Sequence, residues 1–174
     1  MMGPLLLTLA CATSPEPKAM VPASTPTSFA SLDPAALEAR MKSLLRADEQ
    51  LAVAPVAGAV GSSPDCGVAT VYQGPRREIG LVLACEDRVV RSGSLQTWAG
   101  DEVSATLLAD ADQDGHAEVV VIASWMSGMG PEGAEPFQAN SILRWNGNTL
   151  EHVPDAEARI HDLVDLEQVR AALK

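Results

Sequence analysis

Apolar residues in the middle of the chain alternate with polar ones or form short β-branched runs, which is the pattern of β-strands. Turn residues separate these runs, and Asn146-Gly147 is a strong hairpin signal. The pattern therefore predicts a mainly β fold, an antiparallel meander of about seven strands within residues 66–153. The predicted strands lie near 67–72, 79–85, 93–98, 102–109, 118–125, 140–146 and 148–153.

A helical pattern precedes the strands, within residues 32–52. Asp33 can cap the helix and Pro34 suits its first position. Apolar residues then recur at helical spacing: Leu37, Met41, Leu44, Leu45 and Leu51. Proline and glycine residues in 53–65 predict a linker between this helix and the strands.

A second helical pattern follows the strands, within residues 154–174. Asp155 and Asp165 are alternative N-caps, and an apolar stripe comprises Ile160, Val164, Val169 and Leu173. With a helix on each side of the β region, we expect an open sheet or small sandwich covered by helices. Assembly of several chains is the alternative.

The β region contains a weak internal repeat of two units, 66–106 and 107–153. The matching positions are Ala69, Gln73 and Glu78 with Ala109, Gln113 and Glu118, and Trp98-Ala99-Gly100 with Trp145-Asn146-Gly147. In both units the glutamate precedes an apolar strand. Because aromatic residues are few, we expect Trp98, Trp125 and Trp145 to anchor the core.

Residues 110–118 combine carboxylates at loop positions 1, 3, 5 and 9 with a glycine at position 6. Two like charges about 4 Å apart repel by about 4 kcal/mol at an effective dielectric of about 20, so such a loop favours a bound cation. Oxygen ligands select a hard ion, Ca²⁺ rather than Zn²⁺. The predicted ligands are the side chains of Asp110, Asp112, Asp114 and Glu118 and the backbone carbonyl of His116. A solvated acidic turn is the alternative.

The position and surroundings of this loop restrict the kind of calcium site. An EF-hand has its bidentate acid at loop position 12, which is Val121 here, and a helix instead of the strand that follows. The first repeat unit has Thr70, Tyr72 and Gly74 in place of the three aspartates. The sequence therefore predicts one calcium ion.

The run Asp-x-Asp-x-Asp-Gly-x-x-Glu before an apolar strand resembles the calcium loop of FG-GAP repeats, the blade units of integrin-like β-propellers. The resemblance implies that the loop joins two antiparallel strands and that its metal is chiefly structural. Glu118 stands where aspartate is more usual, but it still supplies oxygen. Because closed propellers have about four to eight blades, two blade-like units favour an open arrangement.

The three cysteines divide into a pair and a single residue. Cys66 and Cys85 lie on two predicted antiparallel strands around a turn at 74–76, where opposed residues can form a disulfide. Such a bond requires an oxidising compartment. The alternative is two free buried thiols in a cytosolic protein.

Residues 1–10 form a short apolar run that ends directly before Cys11. It resembles a bacterial lipoprotein signal peptide, which implies lipidation of Cys11. Residues 11–31, rich in Pro, Ser and Thr, would be a disordered tether. Ala12 in place of aspartate favours the outer membrane, or a periplasm-facing position in the cell envelope. The lack of Lys or Arg in residues 1–4 leaves open an upstream start or, without a lipid signal, simple secretion.

The charge and motifs favour a non-enzymatic role. A formal net charge of −11 and 3% aromatic residues disfavour nucleic-acid binding. We expect an exported, lipid-anchored, calcium-stabilised β domain with a structural or binding role. The membrane would be its partner through the anchor, and loop 126–139 would be available to an unidentified protein or glycan.

An enzymatic alternative begins from the same acidic loop. Leu107–Asp112 resembles the opening motif of HAD-type phosphatases, which would make Asp110 the nucleophile and Asp112 a general acid. Asp114 replaces the usual threonine, and the chain lacks the alternating helices and strands of a parallel sheet.

Overall fold

The computed structural model describes residues 27–128 and 134–174. The predicted signal segment, Cys11 and the predicted tether up to residue 26 lie outside these ranges. A 3-10 helix at Phe29–Ser31 comes first. The helices are α1 (Pro34–Ser43), α2 (Pro154–Ile160) and α3 (Leu166–Ala172). The strands are β1 (Glu49–Leu51), β2 (Val56–Val60), β3 (Ser63–Gln73), β4 (Glu78–Cys85), β5 (Arg88–Arg91), β6 (Ala99–Ala109), β7 (Glu118–Met126), β8 (Pro136–Gln138), β9 (Ser141–Trp145) and β10 (Leu150–His152).

The strands form two antiparallel sheets, each built around one long hairpin. In the first sheet, β3 and β4 form the hairpin, β5 pairs with β4, and β1 and β2 both pair with the other edge of β3. In the second sheet, β6 and β7 form the hairpin, β9 and β8 both pair with β7, and β10 pairs with β9. The mainly β, antiparallel prediction is confirmed.

Alternation along the strands places apolar side chains on both faces of each sheet. In β7, Val119 and Val121 belong to a core between the two sheets, whereas Val120 and Ile122 pack with apolar residues of α2 and α3. The outer face of the first sheet packs in the same way against the 3-10 helix and α1. The described part of the chain is thus a sandwich with helices over both outer faces, and this explains the nearly continuous apolar runs of β4 and β7.

The disulfide prediction is confirmed, and it joins the end of the first hairpin that is remote from its turn. Cys66 and Cys85 are directly opposed in the register of β3 and β4, with 4.2 Å between their Cα atoms. Both cysteines are buried in the core between the sheets.

Two predictions about the β region are wrong. Residues 93–98 do not form a strand: the backbone N–H of Leu95 donates to Ile79 (2.8 Å), but the segment then leaves β4 as an irregular loop. Trp98 is 44% exposed and packs edge-to-face against Phe137, whereas Trp125 and Trp145 are buried as expected. Aromatic size alone does not place a residue in the core when its segment lies outside the sheet.

The helical segments are shorter than the sequence pattern indicates. The predicted helix 32–52 ends at Ser43, and its last apolar residue, Leu51, lies in β1. The predicted C-terminal helix is split into α2 and α3, and the Asp165 carboxylate caps α3 by accepting from the N–H groups of Glu167 and Gln168. The α2 N-cap is Val153 rather than Asp155, because Pro154 occupies the first turn.

Two segments expected to be irregular contain ordered elements. The linker 53–65 contains β2 and the start of β3, and loop 126–139 contains β8.

At the end of the predicted tether, Phe29 is buried beneath α1. Its backbone N–H and that of Ala30 both donate to the Asp65 carboxylate, at 3.1 and 2.9 Å. Among the described residues, no helix is long and apolar enough to cross a membrane.

Candidate metal centre

The acidic loop connects β6 to β7 and closes the second hairpin. Ala109 and Glu118 are the last paired residues, so the eight residues 110–117 form the connection. Gly115 has a φ of 88° and Gln113 a φ of 65°. Glycine adopts this left-handed conformation without steric cost, whereas glutamine does so only with some strain. The loop therefore turns sharply twice within its centre.

The three aspartates support the turns by accepting backbone hydrogen bonds. Asp110 accepts from the N–H of Gly115 at 3.0 Å, and Asp112 accepts from the N–H of Asp114 at 3.2 Å. Asp114 in turn accepts from the N–H of His116 at 2.9 Å. Aspartate side chains commonly stabilise turns in this way. These bonds use only part of the acceptor capacity of each carboxylate.

Three of the predicted ligands meet at one point. One carboxylate oxygen from each of Asp110, Asp112 and Glu118 lies within 4.8 Å of the other two. Asp114 is outside this group and 40% of its side chain is exposed. The role of the His116 carbonyl as a ligand stays a prediction. The structure thus brings together the first, third and ninth positions of the loop.

Glu118 is the buried member of this cluster, with no exposed surface. Its Oε2 accepts a hydrogen bond from the Ala111 N–H at 2.8 Å, whereas its Oε1 has no hydrogen-bond partner among the described residues. Burial raises the pKa of Glu118, the Ala111 hydrogen bond opposes this change, and the charges of Asp114 and Asp110 add to it. A buried carboxylate oxygen without a hydrogen-bond partner is costly, so this position favours a group that would compensate it directly.

Arg144 of β9 contacts the same carboxylates, and the sequence analysis missed it. The register pairs Val119 with Leu143, so one step further places Arg144 beside Glu118 on the same face. The guanidinium forms ion pairs with Asp112, with Asp114 at 3.4 Å and with Glu118 at 3.6 Å. The available signal was a single basic residue in the otherwise apolar and small strand Ser-Ile-Leu-Arg-Trp.

The C-terminal helices hold the back of the loop. Arg159 of α2 donates a hydrogen bond to the carbonyl oxygen of Ala111. The Ala111 side chain is buried beneath α2 and α3. Gln113 donates from its side chain to the carbonyl oxygen of Lys174 at 3.2 Å. The loop is therefore fixed on its inner side, and its carboxylates are available on the other.

The charges of the cluster are unbalanced. Four carboxylates, those of Asp110, Asp112, Asp114 and Glu118, face one guanidinium, that of Arg144. A divalent cation would neutralise the excess negative charge, and the oxygen-only donor set suits a hard ion. The chemistry that this arrangement supports is cation binding.

No protein-family model, curated protein or solved structure matches the chain significantly.

Proposed function

We propose that this chain is a non-enzymatic β domain stabilised by one calcium ion at the β6–β7 loop. The observation that carries the proposal is the buried Oε1 of Glu118, which has no hydrogen-bond partner and belongs to the group of converging carboxylates. Asp110, Asp112 and Glu118 would be the principal ligands. Asp114, the His116 carbonyl and water would complete the coordination shell.

Calcium fits this donor set better than zinc or magnesium. Zinc sites use Cys or His side chains, which are not part of the converging group. Magnesium requires nearly ideal octahedral geometry and keeps several waters, whereas calcium accepts about six to eight oxygens in flexible geometry. A turning loop with several carboxylates supplies the second kind of site.

The ion would have a structural role. Asp110 directly follows β6 and Glu118 begins β7, so ligands from both strands would converge on one ion. A bound cation would also remove the repulsion among the carboxylates. We therefore propose that calcium fixes the closed end of the second hairpin, as the resemblance to FG-GAP repeats implies.

We also propose that the domain is exported and displayed on the cell envelope. A disulfide between Cys66 and Cys85 supports an oxidising compartment. The lipid anchor at Cys11 rests on the sequence pattern alone, as does a binding role toward a protein or glycan. We propose no catalytic role for Asp110 and Asp112. The phosphatase resemblance implies a parallel sheet, and every strand pair in the described ranges is antiparallel.

Thermal unfolding with calcium or a chelator tests the proposal. At about a hundred times Kd, calcium would stabilise the domain by about 2.7 kcal/mol. For a domain of this size, that corresponds to a rise in Tm of roughly 5–11 °C. Asp112→Ala should abolish the shift, whereas Asp87→Ala, which removes an exposed carboxylate outside the loop, should retain it. An identical Tm in calcium and chelator for the unmodified chain would contradict the proposal.

A further inference from the structure

Arg144 lies between carboxylates on the two strands that flank β9. On one side lies Glu118 of β7, which is opposite Arg144 because the antiparallel register pairs Val119 with Leu143. On the other side, Glu151 of β10 is directly opposed to Arg144. Directly opposed residues of antiparallel strands project from the same face of the sheet. The guanidinium therefore has a carboxylate partner available in either direction.

In the structure, Arg144 points toward the loop. It forms ion pairs with Asp112 and Asp114, and its Nε lies 3.6 Å from the buried Oε1 of Glu118, too far for a hydrogen bond. That Nε is itself buried without a hydrogen-bond partner among the described residues. Arg144 thus supplies positive charge to the carboxylates without satisfying their most buried oxygen.

A cation at the converging carboxylates would compete with Arg144 for them. Two of the three principal ligands proposed, Asp112 and Glu118, are also partners of the guanidinium, and so is Asp114. Two positive groups sharing the same carboxylates repel each other strongly at this separation. Cation binding and the present position of Arg144 therefore oppose one another.

Glu151 offers the displaced guanidinium a new partner. Its side chain is exposed, and its Oε1 accepts hydrogen bonds from the side chains of Asn146 (2.6 Å) and Thr149 (3.1 Å). A carboxylate has about four acceptor positions, so Glu151 can still accept from arginine. It is also held in place by the turn between β9 and β10.

We propose that Arg144 competes with the calcium ion for the loop carboxylates. When the ion binds, the Arg144 side chain leaves the loop and pairs with Glu151 instead. This inference rests on the proposed cation site. It also gives the site selectivity by charge. Exchange of one guanidinium for Na⁺ or K⁺ brings no additional positive charge, whereas exchange for a divalent ion does.

Calcium titration calorimetry on the purified chain tests the inference. Arg144→Gln removes the competitor, so its Kd for calcium should be at least about tenfold lower than that of the unmodified chain. Arg144→Lys keeps the charge and should stay within about threefold. Arg170→Gln is the matched control, because Arg170 is exposed and forms its ion pair with Glu167 within α3; it should change Kd by no more than about twofold.

Glu151→Gln removes the alternative partner and leaves Arg144 in place. We expect it to weaken calcium binding severalfold in the unmodified background but not in Arg144→Gln, which a double-mutant cycle measures directly. This variant keeps the inference testable even if Arg144→Gln folds only with calcium.

The possible outcomes separate the inference from the function on which it rests. Calcium binding by the unmodified chain with an equal or higher Kd in Arg144→Gln would overturn the competitor role and leave the site intact. A Glu151→Gln variant with unchanged Kd would overturn the displacement toward β10. Absence of calcium binding in both the unmodified chain and Arg144→Gln would overturn the proposed function and the inference together.

Discussion

The two long hairpins have the same plan but are closed differently. In each, the second strand begins with a glutamate, Glu78 in β4 and Glu118 in β7. The four residues 74–77 connect β3 to β4, whereas the eight residues 110–117 connect β6 to β7. The first connection contains no acidic residue, and the second contains three.

The difference shows that the same hairpin architecture can be stabilised at the end remote from its turn or at the turn itself. The first hairpin is linked covalently at the end remote from its turn, by Cys66 and Cys85. Its turn is packed locally, with the Arg77 guanidinium 4.2 Å from the centre of the Tyr72 ring. Glu78 is only partly buried, whereas Glu118 is fully buried. The connection of the first hairpin thus offers no carboxylate to an ion, whereas that of the second gathers charges that an ion would stabilise.

Removal of the disulfide should have the largest effect. A loop of about twenty residues closed by a disulfide contributes about 3 kcal/mol, so Cys66→Ala/Cys85→Ala should lower Tm by roughly 6–12 °C. Circular dichroism melting curves measure this change. The calcium-dependent shift should persist, because the proposed ligands lie in the other hairpin. Cys11→Ser is the control for a cysteine outside the pair, and an unchanged Tm in the double variant would contradict the covalent role.

Matched substitutions of the two strand-initiating glutamates should have the next largest effect. At about a hundred times Kd for calcium, Glu118→Gln should lose the whole ion-dependent stabilisation of about 2.7 kcal/mol. Glu78→Gln should change stability by no more than about 0.5 kcal/mol, as for most substitutions away from a special site. Melting curves of both variants in calcium and in chelator make the comparison. Equal calcium shifts in the two variants would mean that the hairpins do not differ in ion binding.

The hairpins and the loop were predictable because their signals are local. A buried strand, a turn and a second strand are adjacent in sequence, and the disulfide follows from the register that the turn imposes. The carboxylates are spaced within nine residues, so the loop alone brings three of them together. Calcium itself stays a prediction.

The short edge strands were not predictable in the same way. Four of them, β1, β2, β5 and β8, have three to five residues each and no distinctive alternation. They are strands because a longer strand offers free hydrogen-bonding groups at its edge, which is a tertiary effect. Arg144 was missed for a related reason, since its contact with Glu118 depends on the pairing of β7 with β9 across a long connection.

The same contrast extends to the helical covers of the two sheets. On the first sheet, the Asp65 carboxylate accepts hydrogen bonds from the 3-10 helix at Phe29 and Ala30, and from the Ser28 hydroxyl. On the second sheet, Glu157 of α2 accepts from the N–H of Ile142 (2.8 Å) and contacts His152 Nδ1 at 2.6 Å. Beside their apolar packing, the first cover thus has a polar contact centred on a carboxylate, and the second has one between a carboxylate and a histidine.

These two contacts respond to pH in opposite directions. Partial burial acts to raise the pKa of Asp65, but the hydrogen bonds of Ala30, Ser28 and Phe29 and the Arg40 charge outweigh it and lower that pKa below 3.8. The Glu157 hydrogen bond raises the pKa of His152 above 6.5, against the effect of desolvation and with help from the Glu157 charge. The Asp65 contribution is present above pH 3.8 and is lost as the pH falls through the folded-state pKa. The His152 contribution is present below pH 6.5 and is lost as the pH rises through the folded-state pKa.

Stability measured against pH should separate the two covers, with the smallest of the effects expected here. Urea unfolding of the unmodified chain in chelator should show a loss of unfolding free energy at low pH, about 1 kcal/mol for the Asp65 hydrogen bonds. It should show a second loss above pH 6.5, about 0.5 kcal/mol for the partly exposed His152–Glu157 pair. Asp65→Asn should remove only the loss of unfolding free energy that Asp65 causes at low pH. His152→Gln should remove only the loss above pH 6.5. His161→Gln, which replaces the exposed histidine at the C-terminal end of α2, paired with Asp162 and not with Glu157, is the control and should leave both losses unchanged. If His152→Gln kept the full loss above pH 6.5, the α2 contact would not depend on histidine, and the two covers would be held in the same way.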